Sequence, residues 1–159
     1  MRILGIDPGF GRLGIGIVDV HQGKETCVYS ECFETNPKDT FHTRLKSVGE
    51  KIQTLCEKWQ PNAASVETLF FEKNQKTAMS VAEARGVIVY ELLKNKVSVS
   101  EYSPLQVKMA LTGFGKAEKS QVAFMVQKLL HLEKEKRIDD ELDALALAIT
   151  HSSSSRNTY

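Results

Sequence analysis

The sequence is poor in the residues that mark secreted, membrane-spanning or metal-thiolate proteins. Among its 159 residues are three cysteines, Cys27, Cys32 and Cys56. An odd number with no ligand-like spacing gives no support to a disulfide framework, a zinc site or a redox motif. The three are expected as small, buried, weakly polar side chains. No apolar run approaches the roughly 20 residues that a membrane-spanning helix needs. The opening Met1-Arg2-Ile3-Leu4-Gly5-Ile6-Asp7-Pro8 meets an acid and a proline too early for a signal-peptide core. No Gly-x-x-x-x-Gly-Lys-[Ser/Thr] phosphate loop occurs. What remains is a chain 42% hydrophobic and 26% charged, an ordinary globular mix that argues against disorder. Its length suits one domain, which buries about 70% of the surface its unfolded chain exposes. A soluble, cytoplasmic, single-domain protein is expected, with no membrane partner.

The net charge of +1 conceals a local imbalance. From Ser103 to Arg137, Lys108, Lys116, Lys119, Lys128, Lys134, Lys136 and Arg137 face Glu118, Glu133 and Glu135, seven cations against three anions. From Ile138 to His151 stand Asp139, Asp140, Glu141 and Asp143, with no lysine or arginine. Basic residues beside an acidic cluster suit a metal site working on a polyanion, since carboxylates collect cations and lysines neutralise phosphates, although a solvated helix surface carries the same pattern.

Apolar stretches stopped by turn residues predict strands over 2–7, 13–20 and 26–33, an antiparallel meander. Phe41, Leu45, Val48, Ile52, Leu55 and Trp59 recur at spacings of three and four, which predicts an amphipathic helix capped by Asp39 or Thr40. A short buried strand follows at Ala63–Glu67. A second helix runs from Ala78 to Leu92, with Gly86 inside it expected to mark close packing against another backbone. Val97–Tyr102 reads as the last strand. Ser103-Pro104 reads as a helix start, and further helices are expected over 119–130 and 139–151. Ser152 to Tyr159 reads as a polar, frayed tail. Together these elements imply an α/β fold with a mixed sheet, three antiparallel strands followed by parallel ones, and helices on its faces.

Four carboxylates stand out. Asp7 and Glu67 end strands next to turns, the edge where α/β sheets bind ligands. Asp140 and Asp143, three apart on one helix, share a face. Their helix buries Leu142, Leu145, Ala146 and Ile149, so the acids sit at the margin of a docking surface. A carboxylate pressed toward a core calls for compensation, and a divalent cation supplies it. First-turn acids also favour a helix dipole without any ligand, a reading that stays open for Asp140. An all-oxygen set favours magnesium or manganese over zinc. Three or four such groups can hold two ions about 3.5–4 Å apart, an arrangement used for in-line attack on phosphodiesters.

The sequence resembles the RuvC family of Holliday-junction resolvases, nucleases of the RNase H-like fold. The resemblance spans roughly residues 2–151. It rests on Ile3-Leu4-Gly5-Ile6-Asp7-Pro8-Gly9, Val66-Glu67-Thr68-Leu69-Phe70 with Lys73-Asn74, Ala84-Arg85-Gly86-Val87, Tyr102-Ser103-Pro104-Leu105-Gln106-Val107-Lys108, Ala117-Glu118-Lys119-Ser120 and Asp140-Glu141-Leu142-Asp143-Ala144-Leu145-Ala146. It implies a single nuclease domain over 1–151, with 152–159 as a disordered tail. Asp7, Glu67, Asp140 and Asp143 match the family's catalytic, metal-binding acids. Asp139 and Asp143 also share a face, but the Asp-x-x-Asp-Ala-Leu phase selects Asp140. Lys119 matches a basic position tied to phosphate and catalysis, either holding the scissile phosphate or assisting the attacking water. Phe70, Asn74, Lys108 and Lys116 join it as expected DNA contacts, with Phe70 stacking on an opened base.

The implied activity is symmetric cleavage of four-way junctions in recombination and repair. Two Mg2+ ions per subunit, replaceable by Mn2+, would leave 5′-phosphate and 3′-hydroxyl ends. The implied partners are a second copy of the chain and branch-migration helicase subunits of the RuvA and RuvB type. The sequence does not locate the dimer contact; the helix bearing Ala84-Arg85-Gly86 is one candidate. An actin-like ATPase opens similarly, but needs two related domains for which this chain is too short. A junction binder without chemistry would gain by losing the acids that repel DNA.

Overall fold

The computed structural model describes residues 1–68, 75–132 and 137–156. Five strands and five helices follow one another as β1 (Arg2–Asp7), β2 (Arg12–His21), β3 (Lys24–Glu34), α1 (Phe41–Trp59), β4 (Ala63–Glu67), α2 (Gln75–Lys94), β5 (Ser98–Tyr102), α3 (Pro104–Thr112), α4 (Lys119–Leu129) and α5 (Asp139–Arg156). The sheet order is β3-β2-β1-β4-β5. The first three strands pair antiparallel, and β4 and β5 add parallel to β1. The sheet is therefore mixed in the expected way, with helices on both faces.

The period of two along the strands decides which helix each residue meets. Leu4, Ile6, Leu13, Ile15, Ile17, Ala64 and Val66 point to one face and pack with Val48 and Ile52 of α1 and Ile88 and Leu92 of α2. Ile3 and Val18 point to the other, where Leu145 and Leu147 of α5 and Val107, Val122 and Val126 of α3 and α4 close a second core. In phase with Ile3 on β1 come Gly5 and Asp7.

Glycines on this second face let α5 rest directly on the sheet. A Cβ at Gly5 would lie 1.9 Å from the Ala144 carbonyl oxygen, and one at Gly14 would lie 2.2 Å from that of Asp140. One at Gly16 would lie 2.8 Å from the Leu145 nitrogen. No side chain tolerates such separations without the helix moving away. The missing side chains thus fix how closely the first turn of α5 approaches the end of β1.

Local chemistry agrees with this arrangement. Thr40 caps α1, its Oγ1 accepting from the Thr43 amide at 3.3 Å. Ser103 and Gln106 form a reciprocal capping box ahead of Pro104. The start of α5 is tied to β3, with Ser30 donating to Glu141 at 2.6 Å and Arg137 lying beside both.

Three expectations change. Gly86 meets no other element among the described residues: a Cβ there finds none of their atoms within 4 Å, because its face of α2 turns outward with Met79, Tyr90 and Leu93. The helix continues past Ser152 to Arg156 instead of fraying. Ser154 and Ser155 donate back to the carbonyls of Thr150 and His151 at 2.9 and 2.8 Å, and buried Ser152 donates to Glu25. Serine thus supports the helix locally where no apolar periodicity announced it. Residues 157–159 lie outside the described residues. Finally, Cys56 is buried, but Cys27 and Cys32 are half-exposed, because β3 is the edge strand.

Candidate active site

Strand phase and helix phase bring the acids together. Asp7 closes β1 on the α5 side. Glu67 closes β4, one residue beyond Val66, and so points opposite to that core residue, toward Asp7's side. Ile6 is the register partner of Val66, which places Asp7 and Glu67 on neighbouring strand ends. Gly14 is the partner of Asp7 and leaves room for the first turn of α5. That turn carries Asp140, and three residues further along the helix stands Asp143.

The electrostatics record the crowding. Burial, then the charges of Glu67, Asp143 and Asp140, push the Asp7 carboxyl from an ordinary 3.8 up to about 8, against the opposing pull of Lys119. Glu67 is raised by burial and by Asp143, while Lys119 and a hydrogen bond with Asp7 pull it down. Burial raises Asp143 too, with Lys119 opposing. Burial alone would lower the Lys119 ammonium, but the hydrogen bond and charge of Asp143, with Asp139 and Asp7 behind, hold it above its ordinary range. Without further cations this cluster retains a proton near neutral pH.

Two cations of the chain already stand on it. Lys119 Nζ is 2.8 Å from Asp143 Oδ2 and 3.9 Å from Asp139 Oδ2. Arg12 Nη2 is 2.5 Å from Asp140 Oδ2, and Arg12 Nε is 3.6 Å from Glu34. The Cys32 thiol donates to the same Asp140 oxygen at 3.5 Å. Between the two neighbouring aspartates the geometry discriminates. The Asp139 side chain is 78% exposed, whereas that of Asp140 is 26% exposed and its charge reaches Asp7.

Beside the acids opens a cleft of about 370 Å³ whose walls include Glu67, Asp143, Lys108, Lys119 and Val107. Two of the expected DNA contacts, Lys108 and Lys119, therefore share a concavity with two of the acids. Lys116 is exposed in the connection between α3 and α4 and does not line this cleft. Phe70 and Asn74 lie outside the described residues.

As donors, four carboxylates suit a hard dication such as magnesium or manganese. The excess negative charge that holds a proton on Asp7 is what such an ion would neutralise. Among the described residues, however, no group of three or more acidic, histidine or cysteine side chains stands in a metal-holding arrangement. Asp143 is engaged by Lys119 and Asp140 by Arg12. Nothing in the sequence sets Arg12 or Cys32 beside the acids. Their place beside Asp140 depends on strand register, Gly14 pairing with Cys32 and Arg12 lying two residues before Gly14 on the same face.

A family model described as "Crossover junction endodeoxyribonuclease RuvC" matches residues 3–151. A protein of that name from Moorella thermoacetica is 45% identical over 153 residues, covering 96% of this chain and 92% of the relative. Thermus thermophilus RuvC, solved in complex with Holliday junction substrate, superposes with a TM-score of 0.93 at 34% identity over 99% of this chain and 96% of that one. The yeast mitochondrial Holliday junction resolvase Ydc2 shares the fold at a TM-score of 0.67 and 13% identity, covering 95% of this chain and 78% of its own. A match over nearly the whole length, at such identity and on such a sheet, shows that the chain belongs to the RuvC family of crossover junction endodeoxyribonucleases, metal-dependent DNA hydrolases of the RNase H-like fold.

Proposed function

We propose that this chain resolves four-way DNA junctions, cutting two strands of like polarity symmetrically and leaving 5′-phosphate and 3′-hydroxyl ends. One observation carries the reading: mutually repelling carboxylates gather about buried Asp7, and two of them, Glu67 and Asp143, line a cleft together with Lys108 and Lys119. Two Mg2+ ions, or Mn2+ in their place, would supply activated water, charge neutralisation at phosphorus and a stabilised leaving oxygen. Asp7, at the centre of the set, would hold the ions together with Glu67, Asp140 and Asp143. Lys119, with an ammonium held firmly protonated, grips the scissile phosphate, and Lys108 guides the adjoining backbone into the cleft. Lys116, Phe70 and Asn74 contact the DNA further out, with Phe70 stacking on an unpaired base, a contact worth about 1–3 kcal/mol.

Two symmetric cuts call for two copies related by a two-fold axis. The outward face of α2 suits that contact. Met79, Tyr90 and Leu93 are 71%, 65% and 59% exposed, and Gly86 between them offers open space for a second backbone. On this reading the enzyme would work in the cytoplasm, with branch-migration helicase subunits of the RuvA and RuvB type as partners. Among the described residues no helix is long and apolar enough to cross a membrane.

The test is incubation with labelled four-way, duplex and single-stranded DNA, first in magnesium and then in calcium. Paired nicks in the four-way substrate alone are expected with magnesium, and binding without cutting with calcium. Junction affinity in calcium should fall steeply with added salt, by about one logarithmic unit per tenfold salt for each phosphate neutralised. Equal cutting of plain duplex, or an intact junction in magnesium, would contradict the assignment.

A further inference from the structure

Arg12 occupies a place that the proposed chemistry does not explain. It opens β2, on the face toward α5, and its guanidinium stands 2.5 Å from Asp140 and 3.6 Å from Glu34. Arginine–carboxylate pairs on open surfaces are common and weak. This one differs in its partner, because Asp140 belongs to the crowded acidic set and the Cys32 thiol reaches the same oxygen. The side chain is also half-exposed, so it is free to leave.

A dication bound to Asp140 Oδ2 would stand within about 5 Å of the guanidinium in its present position, close enough for strong like-charge repulsion at low local dielectric. The two cations therefore compete for one carboxylate. Lys119 has the same relation to Asp143, but its ammonium faces the cleft where the phosphate is proposed to lie. Arg12 is not among the residues that line that cleft.

We propose that Arg12 is the displaceable resting counter-ion of Asp140. In the metal-free enzyme it satisfies this carboxylate and weakens the cation position that Asp140 serves. When a DNA strand enters, its phosphate draws the guanidinium away through the fork of donors that suits phosphate oxygens. Asp140 is then released to the incoming ion. DNA and the second ion consequently favour each other's binding, and the coupling is reciprocal. The enzyme loads fully with metal only when substrate is present. Arg12 is a positioning residue in this scheme, acting through Asp140. The inference rests on the metal-binding reading of the acids.

Mn2+ titration of the DNA-free protein, followed by the paramagnetic resonance of the free ion, separates the possibilities. Arg12→Gln should bind Mn2+ at the weaker position about five- to tenfold more tightly than the wild type, the loss of one charge-assisted pair. Arg12→Lys, which keeps the charge without the fork, should fall between them. In an Asp140→Asn background, Arg12→Gln should change nothing, because the competition has lost its object. Four-way junction added in calcium should bind Arg12→Gln more weakly, with a salt slope lower by about one. Equal Mn2+ affinity in the wild type and Arg12→Gln would overturn the role of Arg12 and leave the metal site standing. No Mn2+ binding by either protein would overturn both.

Discussion

Asp7→Asn is expected to slow junction cleavage by about 10³-fold or more while binding to the same junction in calcium stays unchanged or tightens. Asparagine keeps the shape of the side chain but removes the charge at the centre of the set, where Asp7 lies buried against Glu67, Asp143 and Asp140. Ion-mediated stabilisation of developing charge amounts to several kcal/mol, and each 1.4 kcal/mol is about tenfold in rate. The cleft lysines proposed to meet DNA are untouched by the change, and one negative charge that repels phosphate is gone. Single-turnover cleavage and a mobility shift on one synthetic junction check both halves. Undiminished cutting by the pure variant would remove Asp7 from the mechanism.

The second large effect is on stability, and its sign follows from the direction of the shifts. Folding raises the Asp7 carboxyl to about 8, and Glu67 and Asp143 move the same way. Between the unfolded and folded values the native state holds protons that the unfolded chain has released. Stability rises with pH only where the unfolded chain holds more protons, so here the metal-free protein loses stability as pH climbs from about 4 to about 8. Urea denaturation in chelator should therefore show a lower midpoint at about pH 8 than at about pH 5.5. Asp7→Asn should remove most of that slope, stabilising the metal-free protein at about pH 8.5 by roughly 1–4 kcal/mol. Magnesium should reverse the trend, because it binds the ionised carboxylates. A midpoint that stays level or rises with pH in chelator would mean that the acids are not crowded as described.

How much of this was legible in the chain varies by residue. Asp7 and Glu67 were visible as strand-end acids because a period of two ties each to its apolar neighbours, Ile6 and Val66. Asp143 was visible because three residues along a helix return nearly to the same face. The depth of α5 on the sheet was not visible. It comes from Gly5, Gly14 and Gly16 lying on one face of two paired strands, and pairing register is a tertiary fact. Arg12 escaped for the same reason, since its partner lies 128 positions away in the chain. Gly86 meets no backbone among the described residues of its own chain, since a glycine within a helix allows close approach without saying whose backbone approaches. The helical serines 152–155 were misread because the bonds that support them, from Ser154 and Ser155 to carbonyls four residues back and from Ser152 to Glu25, leave no apolar pattern.

The central claim is that acids distant along the chain close around paired dications. The most direct measurement is anomalous scattering from crystals of the protein with an uncleaved junction and Mn2+. Two peaks about 3.5–4 Å apart are expected. Asp7 should lie between them, with Glu67, Asp140 and Asp143 around them and Arg12 withdrawn from Asp140. Peaks elsewhere, or none among these four side chains, would contradict the account.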